Sequence, residues 1–151
     1  MIKVNVEIDN KSWHKKIQRP QTYFNKKLRK ISLLTRLFKN KNLAFTILLT
    51  NSLNIKKLNK KFRKRNKITD VLSFPFFSSK NLNLVKENNI YIGDIAVCYE
   101  IISKRSKKNS FISEFDKVWV HGLLHLLGYD HIKNKDYFKM HKFEKRILRL
   151  I

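Results

Sequence analysis

The sequence predicts one α+β domain over residues 1–151, a small mixed β-sheet with helices packed against it and a zinc-binding helix and turn near the C-terminus. Three features lead there. Segments alternating at the two-residue strand period are interleaved with segments repeating at helical spacing, which is the pattern of a sheet with helices laid on it. Two strand segments lie close enough in sequence for a hairpin, so the sheet is mixed. The chain's 151 residues, 42% of them hydrophobic, suffice for one core without disulfides.

Taken in order, Met1-Ile-Lys-Val-Asn-Val-Glu7 alternates apolar and polar residues and reads as an edge strand. From Gln21 to Phe38, Phe24, Leu28, Ile31, Leu34 and Leu37/Phe38 recur at helical spacing. Leu43 to Leu49 is a short apolar, partly β-branched run and reads as a strand. Ile55, Leu58, Asn59 and Phe62 then resume a helical repeat, with Asn51 or Ser52 as its cap. Asp70 to Pro75 reads as a third strand, ended by Pro75 or set at an edge by it, and Ile90 to Val97 as its neighbour. The polar stretch Ser78 to Asn89 between them is a loop. Tyr99 to about Lys108 is helical and basic, and Ser113, with Asp116 three residues on, caps the next helix. Tyr137, Met140, His141, Glu144, Ile147, Leu148 and Ile151 form the stripe of a terminal helix docked on the core.

The formal charge is +23, from 34 Lys+Arg against 11 Asp+Glu, and a field of that size attracts polyanions, with nucleic acid the obvious partner. Basic blocks stand at Lys56-Lys57, Lys60-Lys61 and Arg63-Lys64-Arg65, and again at Lys104-Arg105 and Lys107-Lys108. Such blocks contact phosphates without specifying a base sequence; the alternative is that many of these lysines simply solvate the surface. The lone Cys98 has no internal partner and sits in the apolar run Ile95 to Tyr99, where it reads as a buried, inert thiol in a reducing compartment. No stretch approaches the roughly 20 apolar residues of a membrane span, and the opening alternation is unlike a signal peptide, so a cytoplasmic location is expected.

The most informative segment is His121-Gly-Leu-Leu-His125-Leu-Leu-Gly128-Tyr129-Asp130-His131. His121 and His125 share a helical face, roughly 6 Å apart along the axis. Gly128 can end the helix in the left-handed conformation and turn the chain back to deliver His131. Three protein nitrogens on one zinc ion leave a position for water, the arrangement of catalytic rather than structural zinc. A hydrogen-bonded histidine cluster without metal is the competing reading.

Zinc proteases with the pattern H-E-x-x-H-x-x-G-x-x-H share this histidine and glycine spacing, but their glutamate, the general base, is here Gly122. The ligand geometry is shared while the base is missing. Three neutral imidazoles leave zinc its full charge, which lowers the pKa of bound water toward about 7 and favours an anionic phosphodiester. Asp130 is either an orienting group for a ligand imidazole or a turn residue.

Together with Leu58-Asn-Lys-Lys-Phe-Arg63, Thr69-Asp-Val-Leu-Ser-Phe-Pro75 and Ile92-Gly-Asp-Ile95, the histidine segment closely resembles the YbeY family of bacterial endoribonucleases, the ribosomal RNA maturation factors. The resemblance spans roughly Leu49 to Leu148. It implies a zinc-dependent, single-strand-specific endoribonuclease acting in 16S rRNA 3′-end maturation and ribosome quality control. The ligands of its one zinc ion would be His121, His125 and His131, and Arg63 matches the family's arginine facing the metal cleft. The chain departs from the family pattern before the third strand, where Asn66 and Ile68 replace the usual acidic residue and proline.

The reading is therefore metal-activated hydrolysis of an RNA phosphodiester, with Arg63 neutralising charge on the phosphoryl oxygens and ribosomal RNA and the small ribosomal subunit as partners. Without the resemblance, Arg63 is equally one more solvated charge. Two rivals are a metallopeptidase that recruits a base such as Asp94 or Asp130, and a non-enzymatic ribosome-binding protein with structural zinc, for which His141 is a candidate fourth ligand.

Overall fold

The computed structural model describes residues 1–34, 41–78, 81–130 and 134–151, and its alternating segments pair into one mixed four-stranded sheet. The strands are β1 (Ile2–Ile8), β2 (Asn42–Thr50), β3 (Val71–Pro75) and β4 (Asn89–Cys98), in the order β1-β2-β4-β3. β1, β2 and β4 are parallel, and β3 runs antiparallel beside β4. The opening strand and the strand ended by proline are thus the two edges, as their sequences predict. α1 (Pro20–Leu34) follows β1, α2 (Ser52–Arg63) follows β2, and α3 (Tyr99–Arg105), α4 (Phe111–Leu126) and α5 (Asn134–Leu150) complete the chain. The expected extension of α1 to Leu37 and Phe38 lies outside the described residues.

Strand alternation divides the apolar residues between two faces. Ile95 and Val97 of β4 enter the main core with α1, α4 and α5, whereas Ala96 and Cys98 point the other way, under Ile55 and Leu58 of α2 and Ile101 of α3. α2 and α3 cover only part of that second face. At β4 the chain needs Gly93, whose φ of 132° is closed to L side chains and marks a register shift opposite Ala44 and Phe45 of β2. The polar stretch after β3 is mostly loop, but it carries a short 3-10 turn, Leu82–Leu84, that buries Leu82 in the core. Cys98 is buried as expected, and desolvation pushes its thiol pKa up.

The N-terminus of α4 differs from expectation. Its cap is Ser110, not Ser113: the Ser110 backbone is extended and its hydroxyl accepts from the Ser113 amide at 3.5 Å. The helix starts a turn early because Phe111 and Phe115 both anchor in the core. Asp116 is consequently no capping residue. It lies inside the helix, 8% exposed, and accepts from Tyr23 Oη, Lys27 Nζ (2.5 Å) and Trp119 Nε1 (2.8 Å). Burial, then the Asp116 charge and hydrogen bond, push the Tyr23 hydroxyl pKa far up, so that it stays a donor. This network ties α1 to the histidine helix. Among the described residues no helix is long and apolar enough to cross a membrane.

Candidate metal centre and cleft

α4 is apolar on the side it turns to the sheet, where Val118, Leu123 and Leu126 are buried, and that packing leaves His121 and His125 together on its outer face. Their Nε2 atoms are 3.1 Å apart. Each Nδ1 faces an oxygen: His121 meets Glu144 Oε1 at 3.2 Å, and His125 meets the Tyr129 carbonyl at 3.0 Å. The carbonyl and an ionised carboxylate only accept, so both Nδ1 atoms carry a hydrogen and the two Nε2 atoms meet each other. Two imidazole nitrogens at that distance share either a proton or a cation. Two nitrogens on one tetrahedral zinc stand about 3.3 Å apart, so the observed separation fits a shared ion. Orienting oxygens on the far nitrogens are likewise what metal-bound histidines have.

The turn after α4 supplies one of those oxygens. Gly128 adopts φ 85°, its amide donates to the His125 carbonyl at 3.0 Å, and the Tyr129 amide donates to Leu124 O at 3.0 Å. The predicted helix stop thus also brings the Tyr129 carbonyl back under His125. His131, the predicted third ligand, lies outside the described residues. Within them no group of three His, Cys, Asp or Glu side chains is gathered for a metal, so two of the three predicted ligands are brought together here.

Glu144 is the residue that sequence reasoning missed. Its place in the terminal-helix stripe reads as packing, yet its carboxylate reaches back from α5 to His121. An acid three residues after His141 in an otherwise apolar stripe is the signal that marks it. His141 Nδ1 lies 3.6 Å from the other Glu144 oxygen, so His141 approaches the pair through Glu144. Burial by itself would raise the Glu144 carboxyl; the hydrogen bond and charge of His121, then those of His141, outweigh it and hold the pKa below the ordinary value. Met140 of the same stripe is buried in the core.

Gly122 explains the absent glutamate. A Cβ here would lie 3.0 Å from Ile95 Cγ2, 3.1 Å from Ser73 Oγ and 3.3 Å from Val71 Cγ2. The position faces the sheet, where no long side chain fits. Asp94 is no substitute base either, since it stands in register with Phe74 and Thr46 on the opposite face of the sheet and accepts from Tyr91 Oη at 2.6 Å. Asp130 does line the cleft.

That cleft, about 800 Å³, has the histidines on one wall and the end of α2 on the other. Arg63 Nη2 donates to the Ser73 carbonyl of β3 at 2.8 Å, which ties the guanidinium to the cleft lining. Lys64 closes α2 in the left-handed conformation at φ 57°. Asn59, buried in α2, then pins the loop at two points, its backbone carbonyl accepting from the Arg65 amide at 3.2 Å and its side-chain Nδ2 donating to Lys67 O at 2.8 Å. The loop is held although Asn66 and Ile68 replace the family's usual residues. Arg65 and Lys67 add charge to this wall. The second basic block surrounds a separate hollow at the end of α3, where Arg105 pairs with Asp70 at 2.5 Å.

A family model described as Endoribonuclease YbeY matches residues 7–151. Endoribonuclease YbeY of Pelagibacter ubique (strain HTCC1062) is 48% identical, covering 100% of this chain and 97% of that protein. Endoribonuclease YbeY of Buchnera aphidicola subsp. Acyrthosiphon pisum (strain APS) is 40% identical, covering 93% and 83%. Among solved structures, the solution structure of TM1509 from Thermotoga maritima is similar with a TM-score of 0.62 and 25% identity, covering 98% of this chain and 87% of that one. With the histidine cleft, the match of nearly the whole chain and these identities, the protein belongs to the family of Endoribonuclease YbeY.

Proposed function

We propose that the protein is a zinc-dependent, single-strand-specific endoribonuclease that acts in the cytoplasm on ribosomal RNA, in 16S rRNA 3′-end maturation and ribosome quality control. The observation that carries this reading is the pair of Nε2 atoms 3.1 Å apart, each ring oriented from behind and both facing an arginine-bearing wall. His121 and His125 would hold the metal with His131 as the third ligand. A zinc ion bound there supplies Lewis-acid charge for hydrolysis of a phosphodiester. Glu144 and the Tyr129 carbonyl keep the two imidazoles in the ligating tautomer. Arg63 presents a fixed guanidinium to the phosphoryl oxygens as negative charge builds on them, while Arg65 and Lys67 hold the flanking backbone. The names of the relatives, the charge of +23 and the accessible cleft support RNA as substrate.

The zinc-loaded protein, its Arg63→Ala form and its His125→Ala form should be assayed on labelled single-stranded ribosomal RNA and on an unstructured peptide. Cleavage of RNA, lost with His125→Ala and reduced about a hundredfold or more with Arg63→Ala at unchanged zinc content, is the expected result. Cleavage of the peptide alone would sink the nuclease reading in favour of a metallopeptidase. Loss of folding without zinc, and no cleavage of either, would make the metal structural and the protein a ribosome-binding module.

A further inference from the structure

The second face of the sheet is covered only where α2 and α3 meet Leu72, Ala96 and Cys98. Beside that contact the rings of Phe62, Phe74, Phe76 and Tyr91 form an open ledge. Phe76 is 70% exposed, Phe62 55% and Tyr91 42%. The rings are ordered against one another: Phe62 meets Phe74 edge-on at 5.2 Å, and Phe76 meets Phe77 at 5.0 Å and Tyr91 at 6.5 Å. Asp94 accepts from the Tyr91 hydroxyl at 2.6 Å, and Thr46 Oγ1 lies 2.8 Å from the same oxygen, which fixes that ring as well. A contiguous set of exposed aromatic side chains marks a binding surface rather than scattered surface apolarity.

The ledge and the cleft share an edge. Along β3 and its continuation, Ser73, Pro75 and Phe77 line the cleft, while Phe74 and Phe76 alternate to the ledge. On α2 the cleft's Arg63 directly follows the ledge's Phe62. A chain leaving the cleft across β3 therefore reaches the rings after the width of one strand. Lys61 Nζ stands 5.1 Å from the Phe62 centroid, and Arg63 and Arg65, which line the cleft, follow in the chain, so cations border the ledge at Phe62.

We infer that this ledge is a base-stacking platform for single-stranded RNA: nucleotides next to the cleaved bond cross β3 and stack on Phe76 and Phe62, with Tyr91 extending the surface and Lys61 and Lys64 meeting their phosphates. Aromatic rings beside a positively charged groove are the combination that binds single strands with little sequence preference, because every base has a stacking face. Charge complementarity favours a polyanion over a protein partner, given the net +23 of the chain. The direction in which the strand leaves the cleft rests on the nuclease reading above; the platform itself does not.

The test uses the full chain carrying His125→Ala, so that binding is read without turnover. It is titrated at fixed salt with a fluorescent single-stranded RNA of about twelve nucleotides, and with an abasic oligomer of equal length and charge. Adding Phe62→Ala and Phe76→Ala should weaken RNA binding about ten- to a hundredfold and leave the abasic oligomer's affinity unchanged. Tryptophan at both positions should restore RNA affinity. Equal weakening for both oligomers overturns the platform, because the rings would then act only through fold or charge. Unchanged RNA affinity also overturns it, and assigns the rings to a protein partner. If the wild-type protein cleaves RNA and the ring variants bind and cleave as well as it does, the platform fails while the nuclease stands. Ring-dependent RNA binding by a protein that cleaves nothing keeps the platform and removes the nuclease.

Discussion

On one wall of the cleft His121 and His125 stand on α4, whose other side carries Phe115, Trp119, Leu123 and Leu124, all fully buried. On the opposite wall Arg63 stands at the exposed end of α2, and the loop behind it hangs on one asparagine and on the Arg63 bond to Ser73. The histidine wall inherits its rigidity from the core, through the Asp116 network and the sheet beneath Gly122. The arginine wall is set by a few polar contacts at the surface. Perturbing the first should cost stability as well as chemistry, whereas perturbing the second should cost chemistry at little expense in stability.

The strongest challenge to that contrast is Gly122→Glu, which recreates the protease pattern. With sheet side chains 3.0–3.3 Å from its Cβ position, the added carboxylate is forced against Ile95, Ser73 and Val71, and a loss of about 4 kcal/mol or more is expected. A folded Gly122→Glu protein with peptidase activity in a thermal-melt and peptide assay would contradict this. Asp116→Ala strands three donors between α1 and α4 and should cost about 3 kcal/mol in urea unfolding. A loss below about 1 kcal/mol would mean that the network does not brace the histidine wall.

Glu144→Gln keeps the shape but weakens the partner of His121. Zinc affinity, measured by competition with a chelator, should fall about 10- to 100-fold with little change in melting temperature of the metal-free protein. On the arginine wall, Asn59→Ala removes the side-chain bond to Lys67 O while the backbone carbonyl of residue 59 still accepts from the Arg65 amide, and should cost about 1 kcal/mol, lowering turnover while zinc affinity holds. Reduced zinc affinity in that variant would show that the two walls are not independent. The smallest effect concerns alkaline pH. Tyr23 has its pKa raised in the fold from 10.0, so the folded state keeps a proton that the unfolded chain releases, and stability drops as pH rises beyond about 10. Tyr23→Phe should remove that part of the alkaline slope, and wild-type and variant curves that stay parallel above about pH 10 would count against it.

Much of this is legible in the chain. The strands β2 and β4, the α2 cap at Asn51, the edge position of β3 at Pro75 and the helix stop at Gly128 all follow from periods and backbone preferences that act over a few residues. The cap of α4 lies one turn from its expected place because Ser110 and Ser113 offer the same local chemistry. Only the burial of Phe111 chooses between them. Glu144 reads as packing for a similar reason: a helical stripe records which side faces inward and not which side chain meets a histidine 23 residues earlier in the chain.

The amino-acid order by itself determined that two imidazoles share a helical face and that a basic segment ending in Arg63 precedes them, because both are consequences of spacing within one element. Tertiary structure alone decided that Glu144 and the Tyr129 carbonyl orient those rings, that Ser73 holds Arg63 in the same cleft, that Asp116 is a buried acceptor, and that four aromatic rings gather on the other face of the sheet at β3. These depend on which elements pack together, and burial over the whole chain, not any local period, settles that choice.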